Sequence, residues 1–150
     1  MAVRILTVED DERIRAAVRL ALEDEGWEVD ESPNGEEALA AFRRAPADVV
    51  LVDIMLPGMS GFDLCRNLRR FSDVPIVVVT HGEQGADVWC AGDAAPVRVP
   101  ARRIPRLADT VGAGDMFTAL FAAALDAGEE PVPAAERASA GVAEILALRA

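Results

Sequence analysis

Lysine is absent from this chain of 150 residues: all fifteen basic side chains are arginine, set against 26 acidic ones for a formal net charge of −11. With that balance and no long basic run, a nucleic-acid partner is not expected. Cysteine is nearly absent too. Cys65 and Cys90 show no metal-ligand spacing and fit a reducing compartment, where thiols pack as small hydrophobes. No stretch approaches the roughly twenty apolar residues of a membrane span, and Met1 to Arg4 leads into an acidic segment without the apolar core of a signal peptide. Neither a membrane nor secretion is indicated, and a cytoplasmic location is expected. His81, the single histidine, follows a strand-like run and reads as a loop residue. Internal repeats, heptads and low-complexity linkers are also lacking. What remains is 51% hydrophobic, enough to bury the core of one domain but cramped for two.

The first half alternates between short apolar runs and amphipathic stretches. Residues 3–8 read as a buried strand ending in acids, and 12–25 as a helix with Ile14, Val18, Ala21 and Leu22 on one stripe and Gly26 as its stop. Trp27 to Asp30 alternates like an edge strand, with Trp27 and Trp89 packing at strand edges rather than stacking on a ligand. Asn34 with Glu37 is a capping-box pattern opening a second helix, which carries Ala38, Leu39, Ala41 and Phe42 inward. Val49 to Val52 is a third strand. Ser60 with Asp63 opens a third helix bearing Phe62, Leu64 and Leu68, and 75–80 is a fourth strand. Such βα alternation predicts a parallel, doubly wound sheet.

After Thr80 the rhythm changes. Residues 86–90 and 95–99 flank Ala91-Gly92-Asp93-Ala94 and predict a β-hairpin, its first strand antiparallel to 75–80 and its second at the sheet edge. Residues 100–111 read as a connecting loop. Gly112 to Ala127 reads as a helix with Met116, Leu120, Phe121 and Leu125 inward, and about 133–149 as a last one with Val142, Ile145 and Leu146.

Two constellations carry chemistry. Glu9 and Asp10 leave the first strand, and Asp53 ends the third within Val52-Asp53-Ile54-Met55-Leu56-Pro57-Gly58-Met59-Ser60-Gly61. Three carboxylates held together repel unless a hard cation sits between them; apart, acids after a strand are a solvated helix N-terminus. Taken with Thr80, this set resembles the receiver domain of bacterial response regulators over residues 3–80. The resemblance implies a flavodoxin-like fold, with Asp53 as phosphoacceptor and Mg²⁺ held directly by Asp10 and Asp53. Glu9 would bind the ion through water, and the Met55 backbone carbonyl would complete the protein's share. Thr80 would supply the switch hydroxyl, and a histidine kinase or small phosphodonor would be the partner. Receivers also use a lysine at the end of the fifth strand. This chain has none, so that role falls to Arg98, Arg102 or Arg103 or is empty, and arginine does not replace a point charge.

The second constellation is Asp109-Thr110-Val111-Gly112-Ala113-Gly114-Asp115, which resembles the catalytic turn of ribokinase-like (PfkB family) sugar kinases. That resemblance implies an anion hole at Gly112, Ala113 and Gly114, with Asp115 as base. It also implies a nucleotide-loop remnant at Thr80 to Gly85 with Gly82 and Gly85. The sugar-binding half of that family is missing, so complete sugar kinase activity is not expected.

The chain is thus expected to be one chimeric α/β domain, 1–80 receiver-like and 81–150 ribokinase-like. A flavodoxin-like three-layer parallel sheet would be completed by an antiparallel hairpin and two helices. Three functions stand side by side: a Mg²⁺-dependent phosphoacceptor with impaired output, a nucleotide-binding or sugar-kinase remnant using Asp115, and a fold chimera without physiological activity.

Overall fold

The computed structural model describes residues 3–53, 56–74, 76–80, 84–90, 93, 95–102 and 113–148, with backbone alone at 76–80 and 113–115. Strands β1 (Arg4–Val8), β2 (Glu28–Ser32), β3 (Val49–Asp53) and β4 (Ile76–Thr80) alternate with helices α1 (Glu12–Asp24), α2 (Gly35–Arg44) and α3 (Gly61–Arg69). Strands β5 (Ala86–Cys90) and β6 (Val97–Val99) follow, then helices α4 (Ala113–Asp126) and α5 (Pro131–Ala147). The sheet runs β2-β1-β3-β4-β5-β6. Pairing is parallel as far as β4 and antiparallel from β4 to β6.

The central strands bury both faces, which is why they read as unbroken apolar runs. Ile5, Val49 and Leu51 face α1, α4 and α5, in one core with Val18, Leu22, Val88 and Phe121. Leu6, Val8, Val50 and Val52 face α2 and α3, in another with Leu39, Phe42, Leu64 and Leu68. This is the expected three-layer α/β sandwich.

Helix starts follow the local chemistry. The Asp11 carboxylate accepts from the amides of Arg13 and Ile14, capping α1. Asn34 Oδ1 accepts from the Glu37 amide at 2.8 Å, and Ser60 Oγ from the Asp63 amide at 3.1 Å, as the two capping boxes predict. Gly26, with φ of 88°, turns the chain out of α1. One expectation for α1 fails: Val18 and Leu22 are buried, but Ile14 is 42% exposed. It lies in the first turn, level with the strand ends, where the sheet supplies fewer facing side chains.

The hairpin is present with the predicted sense. Thr80 pairs with Ala86 and Ile76 with Cys90, while Ala86 pairs with Val99 and Val88 with Val97. Strand β6 covers only Val97–Val99, shorter than the expected 95–99, because Pro96 and Pro100 bracket it and cannot donate to a ladder. Gly85, at φ of 97°, enters β5 so tightly that a Cβ there would lie 2.0 Å from the Val99 carbonyl oxygen.

Helices α4 and α5 pack through small side chains, with Ala122, Ala124, Ala134, Ala135 and Ala138 buried around Phe121. A Cβ on Gly141 would meet Leu120 Cδ1 at 2.8 Å. Of the stripes expected here, Phe121 and Leu146 are buried, whereas Met116, Leu120, Leu125, Val142 and Ile145 are half-buried, since alanines occupy the closest contact. The loop expected at 100–111 lies mostly outside the described residues. Among those described, no helix is long and apolar enough to cross a membrane.

Candidate functional site

Parallel pairing brings the carboxyl ends of β1, β3 and β4 to one edge of the sheet. Val8 lies opposite Val52, and Asp53 opposite Thr80. The chain leaving β1 is then held in place by hydrogen bonds. The Glu9 amide donates to the Ser32 carbonyl at 3.1 Å, and the Asp11 amide donates to Glu9 Oε1 at 3.1 Å. With these anchors, carboxylate oxygens of Glu9, Asp10 and Asp53 gather within 4.8 Å of one another. Glu9 and Asp53 are half-buried and Asp10 is exposed.

Crowding leaves an electrostatic mark. The Glu9 carboxyl is pushed up from 4.5 to about 8: burial contributes most, and the charge of Asp53 and hydrogen bonds with Asp10 and Asp53 add to it, against the Asp11 amide. Without a cation, the cluster therefore favours the protonated form of the Glu9 carboxyl. The donor set suits a small hard cation: all its donors are carboxylate oxygens. Oxygens across an octahedral Mg²⁺ lie about 4 Å apart, close to the spread observed here. Glu9, Asp10 and Asp53 would hold such an ion.

The register sets the Thr80 backbone beside Asp53, while its hydroxyl and the Met55 carbonyl lie outside the described positions. Arg98, a candidate stand-in for lysine, is engaged elsewhere. Its Nε and Nη2 both donate to the carboxylate of Asp87, a residue 2% exposed in β5. Arg102 is exposed and Arg103 lies outside the described residues. The thiols are quiet. Burial pushes Cys65 up to about 12 and raises Cys90 as well, in keeping with packing roles.

The second constellation is reached only in outline. Gly112 and Gly82 lie outside the described residues, and so does His81. Ala113, Gly114 and Asp115 form the first turn of α4 as backbone. Gly85 has a packing reason for being glycine, its contact with the end of β6.

Two residues escaped the sequence reading. Asp87 gave no local signal, since its partner is set by strand register. Arg15 gave one: a cation in the first turn of α1 opposes the helix dipole and so calls for a partner. Its Nη1 donates to the Glu9 carbonyl at 2.9 Å.

Residues 5–94 match the response regulator receiver domain family, and residues 66–148 match the pfkB family carbohydrate kinases, so the two matches share 66–94. The sensory transduction protein RegX3 of Mycobacterium tuberculosis is 46% identical over 83 residues, 55% of this chain and 37% of that protein. The transcriptional regulatory protein CseB of Streptomyces coelicolor is 43% identical over 84 residues, 56% of this chain and 36% of that one. The chain thus spans little more than a third of the length of these curated relatives. Among solved structures, the chemotaxis response regulator CheY4 of Vibrio cholerae superposes with a TM-score of 0.52 at 31% identity, covering 57% of this chain and 72% of CheY4. The BeF3-activated receiver domain of Klebsiella pneumoniae RstA superposes with a TM-score of 0.50 at 35% identity, covering 53% and 67%.

Proposed function

The chain belongs to the response regulator receiver domain family, and we propose that it works as a phosphoacceptor module in which Asp53 takes a phosphoryl group with impaired onward signalling. The observation that carries this reading is the convergence of Glu9, Asp10 and Asp53 at one strand edge. An oxygen of the Asp53 carboxylate attacks the phosphorus of a phosphohistidine or an acyl phosphate. The bond from phosphorus to the leaving nitrogen or oxygen breaks, and its electron pair departs with the leaving group. Glu9 and Asp10 orient the site. A Mg²⁺ held by these acids, with the Met55 carbonyl, would neutralise charge on the transferring oxygens. The Thr80 hydroxyl would donate a hydrogen bond to the phosphoryl group once it is attached to Asp53. The donor is a histidine kinase or small phosphodonor, and the setting is cytoplasmic.

The reading of impaired output is supported by what surrounds the site. There is no lysine to hold the phosphate, Arg98 is bound to Asp87, and β4 is followed by an antiparallel strand rather than a helix. A phosphoryl group shifts an equilibrium only if it distinguishes two states. The expectation of no nucleic-acid partner belongs to this chain of 150 residues with net charge −11 and says nothing of the remainder of the relatives named as transcriptional regulators.

The test is intact-mass analysis after incubation with acetyl phosphate. One phosphoryl adduct is expected with Mg²⁺ and none with chelator or in Asp53→Asn. An unmodified parent overturns the assignment.

The match over 66–148 favours a second reading, in which the single domain is a chimera divided near residue 80 whose second half is a nucleotide-binding or sugar-kinase remnant. The half that would position a sugar is missing, and positioning supplies most of the catalysis in phosphoryl transfer. ATP-dependent phosphorylation of ribose or fructose that vanishes in Asp115→Asn would establish this reading as an activity; its absence leaves only ancestry, or a fold chimera without physiological activity.

A further inference from the structure

We propose that Arg15 is a positioning residue of the acidic site, clamping the main chain of Glu9 so that the Glu9 and Asp10 carboxylates are presented to Asp53; this rests on the metal-binding reading above. Both polar backbone groups of Glu9 are tied to the end of β2. Its amide donates directly to Ser32, which is buried, and its carbonyl accepts from Arg15 Nη1 at 2.9 Å. Arg15 is in turn steadied by Glu31, the residue before Ser32, whose Oε1 lies 3.5 Å from Arg15 Nε. The other oxygen of Glu31 lies 2.9 Å from Arg19 Nε, and Arg19 reaches Glu23 at 3.1 Å. The clamp is therefore part of a chain of alternating charges along α1 and the end of β2.

Arginine suits the role because its planar fork can donate to a carbonyl and face a carboxylate at once. A lysine at the same position reaches one partner or the other. The cost of a cation in the first turn of α1 is offset by Glu31. With the clamp removed, the Glu9 carbonyl turns to water and residues 9–11 gain rotational freedom. Ordering them then falls on the binding step and weakens it.

The experiment is calorimetric titration of the full chain with Mg²⁺, with circular dichroism to confirm folding. Arg15→Ala is expected to weaken Mg²⁺ binding about 10- to 100-fold, as loss of an outer partner of a metal ligand does. Glu31→Gln, which leaves Arg15 in place but loosely held, weakens it less, and Arg15→Lys falls between the parent and Arg15→Ala. Leu146→Ala, in the distant core, lowers stability and leaves Mg²⁺ affinity at the parent value, separating positioning from general destabilisation. Folded Arg15→Ala with parent-like affinity overturns the inference. If that variant does not fold, parent-like affinity in both Glu31→Gln and Arg15→Lys overturns it. A parent that binds no Mg²⁺ overturns the metal reading and this inference together, whereas a parent that titrates beside variants that titrate identically overturns this inference alone.

Discussion

Asp53→Asn should make the metal-free protein more stable, because it removes one of three carboxylates that the fold forces together. Oxygens of Asp53, Glu9 and Asp10 lie within 4.8 Å of one another. Two unit charges at that separation repel by about 3.5 kcal/mol at the effective dielectric of a protein surface and by about 1 kcal/mol in water. Asp10 is exposed and the other two are half-buried, so solvent screening leaves about 1–2 kcal/mol. For a domain of this size that is a rise in melting temperature of about 2–8 °C.

Protonation sets where the gain appears. In the fold Glu9 keeps its proton up to about 8, against 4.5 for an unperturbed carboxyl. Between those values the folded state binds more protons than the unfolded one, so metal-free stability should fall as pH rises from 4.5 to about 8 and level off above it. Asp53→Asn should narrow that pH window from its upper end but not abolish it, since burial contributes most of the Glu9 shift. Mg²⁺ should reverse the ranking, since at a hundred times its dissociation constant it adds about 2.7 kcal/mol to the parent and less to a variant with one ligand fewer. The assay is thermal melting in chelator and in saturating Mg²⁺, at about pH 5 and about pH 9, on either side of the Glu9 transition. An Asp53→Asn protein that melts at or below the parent in chelator at the higher pH would refute the crowding argument. An equal Mg²⁺ shift in both proteins would refute the ligand assignment.

Other perturbations probe the stretch from β4 to β6. Gly85→Ala combines a left-handed φ with a Cβ placed 2.0 Å from the Val99 carbonyl oxygen, so it should cost on the order of 3 kcal/mol in urea unfolding; a parent-like midpoint would show that the β5 entrance is differently built. Arg98→Ala takes the guanidinium from buried Asp87 and should lower the melting temperature, while adding Asp87→Asn should recover part of the loss; no recovery would mean that the pair is not what Arg98 contributes. Beryllofluoride with Mg²⁺ should shift amide resonances near Asp10, Asp53 and Thr80 only, because β4 leads into a strand rather than a mobile helix. Shifts spreading through 86–125 would show that a second state survives.

Local chemistry made much of the fold legible. Asn34 and Ser60 cap their helices as their spacing to Glu37 and Asp63 requires, since a cap involves residues only three apart. Unbroken apolar runs at Val49 to Val52 and the turn after Cys90 announced a buried parallel strand and an antiparallel hairpin. The acidic set was legible as well, because strand ends in a parallel sheet share an edge and so bring Glu9, Asp10 and Asp53 together. Other features depended on what stands opposite through space. Ile14 fits the periodicity of α1 yet remains exposed, because periodicity names a face and not how far the sheet extends beneath it. The pairing of Asp87 with Arg98 follows from a register eleven residues apart. The raised Glu9 carboxyl needs burial and the Asp53 charge at once, and both arise only after distant segments meet. Arg15 in the sequence is one arginine among fifteen; only the approach of β2 to α1 turns it into the donor that holds Glu9.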